Sequence, residues 1–75
     1  MNRRTPKTSY LAETPFGFRR VYSWRNYVAC VASADGFTQF CISANGALRE
    51  ARKQRRLGRE IVIVPAIKME GLKLS

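Results

Sequence analysis

Apolar and polar positions fall into two rhythms along this chain. Tyr27 to Ser33 (YVACVAS) and Phe37 to Ile42 (FTQFCI) are short runs of aromatic and β-branched residues on either side of Ala34-Asp35-Gly36, which predicts a β-hairpin. Asp-Gly is a strong two-residue turn signal, because both central positions of a type I′ turn need positive φ. With Ala34 facing Phe37, the expected partners are Val31 with Phe40, Ala29 with Ile42 and Cys30 with Cys41. Tyr27, Ala29, Val31, Phe40 and Ile42 then share an apolar face that should receive a helix. Val28, Cys30, Ala32, Phe37, Gln39 and Cys41 share the other.

The second rhythm is helical. In Ser43 to Gly58, SANGALREARKQRRLG, a step of about 100° per residue puts Ala44, Ala47, Leu48 and Ala51 on one side. Arg49, Arg52, Lys53 and Arg56 fall on an adjoining arc. Ser43 suits the N-cap and Gly58 the left-handed residue beyond the last turn. Asn45-Gly46 could instead form a turn. Arg55 falls close to the apolar seam, where its stem should lie on the sheet edge with its head in water.

Outside these stretches the pattern is less regular. Residues 1–15 hold Arg3, Arg4, Lys7, Pro6 and Pro15 without a sustained period and are read as a flexible basic arm. Residues 16–75 then form a single domain, opening with FGFRRVYSW as a first strand. Arg59 to Val64, REIVIV, is apolar on both alternating sets, as in a strand covered on both faces. After a helix it should return parallel to a hairpin strand by a right-handed crossover. The tail AIKMEGLKLS either extends that strand or crosses the second sheet face, where Met69 and Leu72 could cover the thiols. Otherwise that face is open to form a dimer. The expected class is therefore α+β: a hairpin or three-stranded sheet, one packed helix and a C-terminal strand, in the order ββ(β)αβ.

Composition sharpens the picture. A chain of 75 residues has room for one small core, and 45% apolar residues with four Phe, three Tyr and one Trp argue for a folded chain. Fourteen Lys and Arg against five Asp and Glu give a net charge of +9, a field that attracts nucleic acid or an acidic protein surface. No apolar run is long enough to span a bilayer, and the helix seam, mostly alanine, offers little to an anionic membrane. The basic N-terminal stretch lacks the apolar core of a secretory signal. Two cysteines and no histidine fit a reducing, cytoplasmic setting.

Candidate chemistry follows from charge rather than from catalysis. Arginine presents a planar fork of donors matched to phosphate oxygens, so Arg49, Arg52, Lys53, Arg55, Arg56 and Arg59 are the candidate contacts to a polyanion. Charge runs on helices are usually solvated faces, yet here Glu50 alone balances five cations between Arg49 and Arg56. Arg19, Arg20 and Arg25 form a secondary basic patch. Trp24 and Tyr27 flank Arg25 and could stack on bases, although a core role for Tyr27 and an edge-capping role for Trp24 is the favoured alternative. Phe16-Gly17-Phe18 lacks the flanking pattern of an RNA-recognition strand motif. The five carboxylates Glu13, Asp35, Glu50, Glu60 and Glu70 are scattered and no phosphate-cradling Gly loop is present, so no enzyme and no cofactor is expected. Cys30 and Cys41 are expected as reduced thiols in contact, and two cysteines without histidine do not complete a metal site.

The layout from Trp24 to Val64, a DG hairpin, ALREARKQRR, a glycine and IVIV, loosely resembles two kinds of small domain. One is the three-strand-plus-helix DNA-binding module of plant AP2 proteins and phage integrase arms, which implies DNA contacts from the sheet. The other is the hairpin, helix and strand fold of several phage anti-CRISPR proteins, which implies docking on a protein or nucleoprotein partner. Two functions are therefore expected: a non-enzymatic nucleic-acid-binding accessory protein using the helix face, or an anti-CRISPR-like inhibitor or adaptor that binds an acidic or nucleoprotein surface.

Overall fold

The computed structural model describes residues 8–69. In chain order its elements are β1 (Thr8–Thr14), β2 (Gly17–Ser23), β3 (Ala29–Ser33), β4 (Thr38–Cys41), α1 (Ala44–Arg56), β5 (Ile61–Pro65) and β6 (Ile67–Lys68). They form an α+β fold with two antiparallel three-stranded sheets, ordered β2-β1-β6 and β4-β3-β5. Helix α1 packs against the second sheet.

Residues 8–14, expected within an arm, are a full strand. Tyr10, Ala12 and Thr14 are buried while Ser9, Leu11 and Glu13 point the other way, a period of two that polar residues at both ends mask in the sequence. The turn to β2 is built from Thr14, Pro15, Phe16 and Gly17. Pro15 arrives with φ already restricted, Gly17 takes φ +117°, and the Thr14 hydroxyl accepts from the Phe16 N–H at 3.0 Å and donates to the Gly17 carbonyl at 2.7 Å. Arg3, Arg4, Lys7 and Leu72, assigned roles above, lie outside the described residues.

The central hairpin closes with one residue more in its loop than the Asp-Gly turn suggests. Ala29 faces Cys41, Cys30 faces Phe40 and Val31 faces Gln39, because the loop is Ala34-Asp35-Gly36 with Gly36 alone at positive φ, +100°. The Ser33 N–H donates to the Phe37 carbonyl at 3.0 Å and the Gly36 N–H to the Ser33 carbonyl at 3.2 Å. This is the three-residue hairpin in which a glycine bulge follows the turn. A one-residue shift exchanges the faces: Phe40 leaves the helix side, Cys41 joins it, and the two cysteines no longer oppose each other. Both are free thiols.

Helix α1 keeps its predicted ends. The Ser43 hydroxyl accepts from the Gly46 N–H at 3.0 Å, so Asn45-Gly46 is the first helical turn and not a loop. At the other end Gly58 takes φ +93°, its N–H donates to Arg55 O at 3.0 Å, and the Arg59 N–H donates to Gln54 O at 3.1 Å, the paired bonds of a Schellman cap. Its buried side differs from the expected seam: Ala47, Ala51 and Gln54 are buried, whereas Ala44 is exposed and Leu48 is 52% exposed. The helix is rotated toward Gln54 because two alanines allow close approach to the sheet. The Gln54 amide is satisfied by donating to Glu50 Oε2 at 2.7 Å and accepting from Arg59.

Strand β5 hydrogen-bonds to β3 and runs antiparallel to it. Its direction matches that of β4, but β3 lies between them. The 13-residue helix spans about 20 Å, enough to carry the chain back along a short strand. Past Pro65 the chain changes sheets within one residue. The Ala66 N–H donates to Val28 O at 3.1 Å, and Ile67 and Lys68 then pair with Leu11 and Tyr10 of β1.

The result is three layers. Between the sheets lie Ala12, Cys30 and Ala32, with Phe16, Phe40, Val62 and Val64 packed around them. Between the second sheet and α1 lie Ala29, Val31, Cys41, Ala47, Ala51 and Ile61, with Phe37 against them. Most of these side chains are small, so each interface is thin and close. The hairpin face that the sequence left open to the tail or to a dimer is covered by the β1–β2 hairpin, with Cys30 and Ala32 fully buried.

A candidate polyanion-binding surface

Since Ala47, Ala51 and Gln54 face the sheet, positions half a turn away face outward. Arg49, Arg52, Lys53 and Arg56 are all exposed, and at about 100° per residue they share roughly a third of the helix circumference. Asn45, Leu48, Arg49 and Arg52 line a shallow depression on this side. Glu50, the nearest carboxylate in sequence, is partly buried on the other side and takes the Gln54 amide. The ion pair seen among the described residues is Arg59 with Asp35, so the four outer cations stand together without a carboxylate partner among them.

The other cations named from sequence are placed differently. Arg55 is exposed, and its Nη2 donates to Ile61 O of β5 at 3.2 Å, so its head, expected in water, is tied to the backbone of the edge strand. Arg59 is a structural residue. Its Nε meets Asp35 Oδ2 at 2.9 Å, Nη1 donates to Gln54 Oε1, and its guanidinium carbon sits 5.1 Å above the centre of the Phe37 ring. It joins the hairpin tip to the end of the helix. Arg19 points inward from β2, donating from Nε to Thr38 Oγ1 at 2.9 Å, which ties the two sheets together. Arg20 is exposed on the outer face of the first sheet and Arg25 in the connection to β3. The nine candidate cations are thus not one patch: four share the outer helix face, three are engaged in holding elements together, and Arg20 and Arg25 lie elsewhere.

Tyr27 is half-buried and packs at the edge of the core rather than standing free. Its ring makes an edge contact with Tyr10 at 5.4 Å and a tilted contact with Phe40 at 5.6 Å, and the Ser23 hydroxyl lies 3.5 Å from its oxygen. Trp24 is 51% exposed just beyond β2. Phe18, weighed above only within Phe16-Gly17-Phe18 and discounted there, and Tyr22, not named as a candidate, are 64% and 49% exposed. The signal was present as the alternation Phe18, Arg20, Tyr22 within FRRVY.

Electrostatics separates the remaining titratable groups from this surface. Burial pushes the Cys30 thiol up to about 11, with the neighbouring Cys41 adding to the effect and Arg19 opposing it. Burial also raises Cys41, assisted by the Glu50 charge. Both therefore stay protonated, the opposite of what an attacking thiolate needs. Asp35 is lowered to about 2, first by the Ser33 hydroxyl, then by Arg59 and the Phe37 N–H. Its charge is committed to the hairpin tip. Among the described residues no three metal-ligating side chains gather, and no helix is long and apolar enough to cross a membrane.

No family model matches the chain, and searches of curated proteins and of solved structures returned no match. The layout likeness to AP2-type modules stops at the sheet. The face that would read DNA there is buried under β1 and β2 in this molecule.

Proposed function

We propose that this chain is a small, non-enzymatic, nucleic-acid-binding accessory protein that contacts phosphates through the outer face of α1. The observation that carries the reading is the exposure of Arg49, Arg52, Lys53 and Arg56 on one side of a capped helix, with the adjacent Glu50 turned to Gln54. A net charge of +9 on 75 residues supports it, since solubility alone does not call for cations concentrated on one face. The two protonated, unbridged thiols accord with a reducing, cytoplasmic setting.

Four phosphate contacts imply a log–log salt slope of about −3 to −4, or roughly a hundredfold loss of affinity for a fourfold rise in salt. The test is an electrophoretic shift with random DNA and RNA at two ionic strengths, alongside the double variant Arg52→Glu, Arg56→Glu. Salt-sensitive binding lost in the variant supports the reading. If the unaltered protein binds neither polymer but forms a saturable one-to-one complex with an acidic protein or a nucleoprotein, the inhibitor or adaptor function takes its place.

A further inference from the structure

The outward face of the first sheet presents a different surface. Register and burial place Phe18, Arg20 and Tyr22 of β2 on it, beside Ser9, Leu11 and Glu13 of β1 and Ile67 of β6. Nothing among the described residues covers this face. Phe18, Tyr22 and Ile67 are 64%, 49% and 52% exposed. Large side chains clustered in the open mark an interaction surface more often than isolated ones do.

Aromatic–cation alternation selects the occupant. On a strand, residues two apart share a face about 7 Å apart, so Phe18, Arg20 and Tyr22 present ring, guanidinium, ring in a row. The two rings are then about 13 Å apart, roughly the length of two extended nucleotides, so they match bases two apart in a single strand. Rings stack on the flat faces of bases whatever the sequence, and the interposed guanidinium meets a phosphate of the stretch between them. A duplex offers no free base faces to such a row. A polyanionic ligand also matches the field of a +9 protein, which opposes pairing of this face with a second, equally charged copy of the chain. The one carboxylate on the face among the described residues, Glu13, sits opposite Phe18 and diagonal to Arg20 at the turn end, and the ion pair seen among the described residues is Arg59 with Asp35, not one between these two.

We infer that the outer face of the β2-β1-β6 sheet is a stacking platform for single-stranded DNA or RNA, with Phe18 and Tyr22 holding bases two nucleotides apart and Arg20 a phosphate between them. It lies on the far side of the layered fold from the outer face of α1. This inference does not rest on the helix reading, because its residues and its strand preference are separate.

Binding of about 12-nucleotide oligothymidylate and oligouridylate, and of a duplex of the same length, would be measured by fluorescence anisotropy for four proteins. These are the unaltered chain, F18A/Y22A, F18L/Y22L and R52E/R56E, each checked for an unchanged thermal transition. The expected result is a single-strand affinity lowered roughly tenfold or more per ring in both ring-removing variants, with duplex binding unchanged. The leucine pair keeps an apolar face without an aromatic one, so loss there assigns the effect to stacking. Single-strand affinity retained in F18L/Y22L overturns the proposal, as does equal loss of single-strand and duplex binding. So does a concentration-dependent dimer of the unaltered chain that F18A/Y22A dissolves. The helix reading fails separately, if R52E/R56E binds duplex as well as the unaltered chain does.

Discussion

Helix α1 and strand β2 each turn one face outward and each carries arginine there, but their surroundings differ. On α1 the arginines stand beside other cations, with exposed Leu48 and Asn45 as the uncharged neighbours. On β2 a single arginine stands between two rings. A face of clustered charge should bind through counterion release, with strong salt dependence and little interest in base identity or strandedness. A face of rings should be less sensitive to salt and require unpaired bases. Similar exposure of arginine therefore predicts two different binding behaviours, and net charge does not distinguish them.

The largest expected effect comes from reversing charge on the helix. Arg52→Glu with Arg56→Glu should lower duplex affinity about a hundredfold at low salt and reduce the salt slope by about 2. An unchanged slope in an anisotropy titration across salt would remove the distinction between the two faces. Arg59→Ala should next show that an exposed-looking arginine can belong to the scaffold. Removing it breaks the Asp35 pair and strips a partner from buried Gln54, so unfolding free energy should fall by about 1–3 kcal/mol while duplex affinity changes little. A urea titration and the same binding assay read both. Ser43→Ala removes the cap on the Gly46 N–H and should cost about 1 kcal/mol, with the melting temperature lowered and both binding faces intact.

The smallest effect concerns pH. Asp35 is held near 2, below its ordinary 3.8, mainly by the Ser33 hydroxyl and then by Arg59. A lowered carboxyl stabilises the folded state above pH 3.8, and that contribution disappears as pH falls toward 2. Thermal melts between pH 5 and pH 2 should therefore decline over that window, and Asp35→Asn should make the decline shallower. Equal slopes in the two proteins would show that the hairpin tip does not respond to this titration.

The elements with strong local signals were legible in the sequence. Helix α1 announces itself through Ser43, the alanine spacing and Gly58, and the hairpin through Asp35-Gly36. Its register was not legible, because a glycine after aspartate serves a two-residue turn and a three-residue bulged turn equally well, and only the ladder beyond distinguishes them. Strand β1 was hidden because one of its three inward residues is threonine, whose hydroxyl is satisfied within its own turn. The four outer helix cations were legible as a group. The structural tasks of Arg19 and Arg59 were not, since their partners Thr38 and Asp35 are distant in sequence and Gln54 was not among the residues expected on the buried seam. The role of β5 was half visible: IVIV suggested cover on both faces, whereas Ile61 is buried and Ile63 is 37% exposed, and an antiparallel neighbour requires knowing that β3 is central.

The passage of residues 61–68 from one sheet into the other has a consequence for how the chain matures on the ribosome. Each sheet draws its third strand from this single stretch, and isolated two-stranded ribbons are marginal in water. Both hairpins must therefore wait, side by side and incomplete, until the same late segment emerges. Folding should then appear as one concerted event once that segment has emerged, rather than as two hairpins maturing in turn.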